Sequence, residues 1–89
     1  MMFEFVKNIV SLNLHQDLIC DDIQEINGKK LSFTLIYKNK SMISIEVLPN
    51  GICYLMLVEI ESEKLVKSIT LEFENREKLK SEIISFLKV

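Results

Sequence analysis

The stretch PNGICYLMLVEIE, residues 49–61, sets a turn signal ahead of seven consecutive apolar residues, Ile52 to Val58. A strand with one wet face alternates apolar and polar side chains, because successive residues point to opposite sides of the pleat. This strand offers apolar groups to both sides. A fold built on it must therefore cover two faces, or leave one apolar face for something else to cover.

The flanking sequence fixes the rest of the pattern. Leu31, Phe33, Leu35 and Tyr37 share one face of a strand, with Ser32 and Thr34 on the other. A three-residue connection around Asn39, Lys40 and Ser41 sets Ile43, Ile45 and Val47 opposite the first apolar set. The strand after Pro49-Asn50-Gly51 carries Tyr54, Met56, Val58 and Ile60. A last strand has Leu65, Ile69, Leu71 and Phe73 on one side against Ser68, Thr70, Glu72 and Glu74. Residues 22–27 read as a further strand running into the Asn27-Gly28 hairpin signal. A helical turn is the alternative there, since Ile19, Ile23 and Ile26 also fit a helical stripe.

Both termini read as helices. In residues 2–12 a narrow polar stripe of Glu4, Lys7, Asn8 and Ser11 interrupts an apolar surface, and near the other end Asn75 caps a helix whose stripe is Leu79, Ile83, Phe86 and Leu87. The expected fold is α+β: a four- to five-stranded antiparallel meander flanked by an N-terminal and a C-terminal helix, in two layers. With 89 residues, two glycines and one proline, the chain reads as a single domain, 1–89, with no linker.

Two turns compete at Pro49-Asn50-Gly51. A two-residue Asn50-Gly51 turn pairs Val47 with Tyr54 and Ile45 with Met56. A type I turn with Pro49 second and Gly51 as a left-handed bulge residue shifts the pairing by one. Consistency of the apolar pattern selects the first. The core face is then Leu31, Phe33, Leu35, Ile43, Ile45, Val47, Tyr54, Met56, Val58, Ile69, Leu71 and Phe73. Cys53, Leu55 and Leu57 fall on the reverse face beside Ile36, Met42, Leu48 and Val66. An apolar patch of that size marks an interaction site. A terminal helix crossing over, a twofold dimer, or another protein could cover it.

Net charge is −2, which singles out neither nucleic acid nor an anionic membrane. The signs come in blocks: residues 1–27 hold five acids against Lys7, and residues 28–45 hold Lys29, Lys30, Lys38 and Lys40 with no acid. The lysine block lacks arginine and stacking aromatics, so nucleic-acid binding is not expected. Cys20 and Cys53 have no metal or disulfide spacing and read as thiols of a reducing cytoplasm. No signal or spanning segment is read.

His15, the only histidine, lies near Asp17 and Cys20 but matches no nucleophile motif, and the acids around Asp21 lack the spacing of a calcium loop. The expectation is therefore a protein that is not an enzyme and uses no cofactor or metal. Its expected role is to bind another protein, such as a basic toxin neutralised by an immunity or antitoxin-like inhibitor, through Asp17, Asp21, Asp22, Glu25, Glu59, Glu61 and Glu63. The alternative is a structural or regulatory homodimer joined through the reverse face at Cys53, Leu55, Leu57 and Ile36.

Overall fold

A computed structural model describes residues 2–72 and 74–88. The order is α1 (Met2–Leu12), β1 (Leu18–Ile26), β2 (Lys30–Tyr37), β3 (Ser41–Val47), β4 (Ile52–Glu59), β5 (Lys64–Glu72) and α2 (Arg76–Leu87). The strands form one open antiparallel sheet in the order β1-β2-β3-β4-β5, so each pairs with its sequence neighbour. Residues 18–26 are strand throughout, beginning four residues before the expected start and excluding the helical alternative.

Local chemistry closes each hairpin. Asn27 and Gly28 both take positive φ, 46° and 68°, and Lys29 N–H donates to the Ile26 carbonyl at 2.7 Å. Asparagine and glycine tolerate that left-handed geometry best. The β2–β3 loop spans residues 38–40, one position earlier than expected but of the expected length, and it sets Ile43 opposite Leu35.

The β3–β4 turn overturns the expected register. Gly51 N–H donates to the Leu48 carbonyl at 3.1 Å, and Gly51 sits at φ 91°. Pro49 is therefore the second residue of a type I-like turn and Gly51 its bulge residue. Asn50 Oδ1 accepts from Ile52 N–H at 3.2 Å, bracing the exit. Val47 consequently pairs with Cys53, Ile45 with Leu55 and Ile43 with Leu57. A shift of one residue exchanges the two sides of a strand.

Cys53 and Leu55 thus lie in the core at 1% and 0% exposure, with Leu57 packed against it, while Tyr54 and Met56 are 38% and 40% exposed on the other face. Val58 follows Tyr54 and Met56 to that face by alternation. The last strand departs too. A bulge at Val66 leaves Leu65 opposite Val58, so it does not join Ile69 on the core side. The expected core residue Phe73 lies outside the described residues.

Both helices pack on the core face. Val6, Ile9 and Val10 of α1 and Leu79, Ile83, Phe86 and Leu87 of α2 are buried against Leu18, Leu31, Phe33, Leu35, Ile43, Ile45, Val47, Cys53, Leu55 and Leu71. Lys7 on α1 reaches Glu25 on β1 at 2.6 Å, a clamp between the layers. Asn75 Oδ1 accepts from Lys78 N–H at 3.0 Å and caps α2. Removing that acceptor in Asn75→Ala is expected to lower stability by about 1 kcal/mol, read as a lower urea midpoint with an unchanged slope.

Candidate functional site on the uncovered sheet face

The cross-strand register shows what the face away from the helices presents. At one end, Ile19, Ile36, Met42, Val58 and Leu65 pair in succession and form an aliphatic row across all five strands. Next comes Asp22, Thr34, Ser44, Met56 and Ser68, then Gln24, Ser32, Glu46, Tyr54 and Thr70. Ile19 and Leu65, on the outer strands, are each 52% exposed. A depression of about 250 Å³ lies over the middle rows, bordered by Ser44, Glu46, Tyr54, Met56, Ser68 and Thr70.

Charge is sparse on this face. Lys30 Nζ lies 3.5 Å from Glu46, and Asp22 Oδ2 accepts from Gln24 Nε2 at 2.9 Å. Both sheet edges are blunted. β1 carries a register shift between Cys20 and Asp22 with two exposed aspartates, and β5 has its bulge between Lys64 and Lys67. Bulges and edge charges obstruct strand addition.

The interface patch read from the sequence divides. Ile36 lies on the open face as expected. Cys53 and Leu55 do not; they are core, and Leu57 packs on it. The residues missed are Met42, already placed on this side but not as a site, together with Tyr54, Met56, Val58, Ile19 and Leu65.

The acidic set does not form one surface. Asp17 precedes β1, and its carbonyl accepts from Lys38 N–H at 2.9 Å. Asp21 and Asp22 lie on the β1 edge. Glu25 pairs with Leu31 on the helix side, where it is engaged by Lys7. Glu59, Glu61 and Glu63 belong to the end of β4 and the turn into β5, where Glu59 accepts from Ser62 Oγ at 2.8 Å. β1 and β5 are opposite edges of the sheet, about 19 Å apart at the usual strand spacing.

His15, Asp17 and Cys20 do not assemble for nucleophilic chemistry. His15 Nδ1 accepts from Asp17 N–H at 3.2 Å, and its ring meets Tyr37 edge-on with centroids 6.5 Å apart. Cys20 Sγ donates to the Asp22 carbonyl at 3.6 Å, and burial, with the nearby Asp22 and Asp21 charges adding to it, raises its thiol pKa. An activated thiol needs the opposite shift. Among the described residues no group of three or more potential ligands could hold a metal ion, and no helix is long and apolar enough to cross a membrane.

No family profile, no curated protein and no solved structure matches the chain.

Proposed function

We propose that this chain is a non-catalytic protein-binding domain, working in a reducing, cytoplasmic setting, and that its contact surface is the open face of the sheet. One observation carries the reading: an unbroken aliphatic row crosses five strands on a face that neither helix covers. Ile19 and Leu65 are exposed and Ile36, Met42 and Val58 between them are half-buried, and contiguous apolar surface left open to water marks interaction sites. The two free cysteines agree with the compartment.

The direct test places a benzophenone side chain at Met42, and separately at Lys80 on α2, in cells that express the chain. Covalent adducts are expected from position 42 and not from position 80. Adducts from position 80 alone would overturn the reading.

A second reading is an inhibitor of immunity or antitoxin type that meets a basic toxin. It draws on Glu59, Glu61 and Glu63, the part of the acidic set that remains together and exposed. Complementary charge would speed association and make it salt-dependent. Met42→Glu, with Glu59, Glu61 and Glu63 intact, separates the two: the inhibitor reading requires that salt-dependent binding survive the change, and the open-face reading requires that binding be lost.

A further inference from the structure

We propose that the occupant of the open face is a second copy of this chain, docked face to face about a twofold axis running parallel to the strands over β3. The proposal rests on the open-face reading and adds the identity of the occupant. An isologous interface must match itself under its twofold, and the aliphatic row does so. Met42 is its midpoint, Ile36 and Val58 flank it, and Ile19 and Leu65 end it. Rotation stacks Met42 on its own counterpart, Ile36 on Val58 and Ile19 on Leu65, so each aliphatic group meets another.

Charge follows the same symmetry. The Lys38–Lys40 turn, between β2 and β3, and the Glu61–Glu63 turn, between β4 and β5, both lie at the aliphatic end of the sheet, on opposite sides of the axis. The twofold brings the basic turn of each copy within about one strand spacing, ~4.8 Å laterally, of the acidic turn of the other. Glu46 meets its own counterpart, with Lys30 beside each carboxylate at 3.5 Å. A twofold running across the strands instead would set Lys30 on Ile36 and Glu72 on Leu65, placing charges against aliphatic groups that cannot solvate them.

The available area is sufficient. Five strands at ~4.8 Å and about eight residues at ~3.3 Å give a face of roughly 24 by 26 Å, and its corrugated surface is on the order of 800 Å², one side of a standard interface. The edges offer no competing route, since both are bulged and charged. An anionic membrane is a poor alternative, because Asp22, Glu46 and Glu72 outnumber Lys30 on this face.

Sedimentation velocity of the intact chain over a wide concentration range tests the proposal. The wild type is expected to sediment as a dimer. Met42→Glu should raise the dissociation constant about a hundredfold or more, because two carboxylates would meet in the apolar centre, while circular dichroism stays unchanged and, at concentrations low enough for both proteins to be monomeric, so does the urea midpoint. Val58→Lys serves in its place should Met42→Glu fail to fold. In a Cys20→Ser background, Met42→Cys should give a covalent dimer with a short bismaleimide, and Glu77→Cys should not. A wild type that is monomeric throughout, with position 42 giving adducts only to other proteins, overturns the second copy and leaves the open-face reading standing. A dimer that survives Met42→Glu and shows no coupling through position 42 overturns both.

Discussion

Leu55→Ala is expected to lower the unfolding free energy by about 3 kcal/mol, within the range for truncating a fully buried leucine. Met56→Ala, one residue on, is expected to change it by less than about 1 kcal/mol. The contrast follows from register: Leu55 is 0% exposed among the helices and strands of the core, while Met56 is 40% exposed on the uncovered side. A domain of this size has roughly 5 to 10 kcal/mol in hand, so Leu55→Ala removes about 30 to 60% of it and Leu55→Glu leaves no stable fold. Urea unfolding of the two alanine variants decides the matter. A larger loss at Met56 than at Leu55 would mean that the strand is turned the other way.

The same burial makes stability fall in alkali. Removal from water pushes the Cys53 thiol up to about 12 from its ordinary 9.0. Between those values the unfolded thiol has ionised while the folded one keeps its proton, so the folded state binds more protons and loses stability as pH rises. The contribution is complete below pH 9. Above it the loss is about 1.4 kcal/mol per pH unit, reaching on the order of 4 kcal/mol by pH 12. Cys53→Val removes this term, so the two proteins' urea midpoints should diverge above pH 9, with the wild type falling more steeply. Parallel curves would show that Cys53 is not held protonated in the fold.

Much of the architecture is legible in the sequence because periodicity speaks clearly there. The strand from Leu31 and the strand ending at Val47 alternate cleanly, and their pairing follows from a three-residue loop. The polar stripe of residues 2–12 and the Leu79, Ile83, Phe86 and Leu87 stripe identify the helices that cover one face. The run Ile52 to Val58 is different. Seven apolar residues carry no alternation, so the pattern cannot say which parity faces inward, and the tie is broken by backbone chemistry in the turn. Pro49 presets the second position, and Gly51 takes the left-handed position that closes the loop one residue later than a two-residue turn would.

The candidate site departs from the sequence expectation for the same reason. Moving β4 by one residue sends Cys53 and Leu55 inward and brings Tyr54, Met56 and Val58 out to join Ile36 and Met42. The bulge at Val66 then completes the row by turning Leu65 to the open face. Single-residue irregularities of this kind leave no periodic trace in a sequence. The acidic residues were legible as a block but not as a surface, because strand parity and the irregularity near Asp21 direct Asp22 to the open face and Glu25 to Lys7.

The most direct measurement concerns two backbone protons. Because Leu48 N–H donates to the Ile52 carbonyl at 2.9 Å, the alternation of an antiparallel ladder makes Ile45 and Leu55 a non-hydrogen-bonded pair, with α-carbons about 4.5 Å apart. A strong nuclear Overhauser effect between the α-protons of Ile45 and Leu55 is the expected result. In the register of a two-residue Asn50-Gly51 turn the non-hydrogen-bonded partner of Leu55 is Glu46, so the same effect between the α-protons of Glu46 and Leu55 would reverse β4, return Leu55 to the open face and dissolve the aliphatic row centred on Met42.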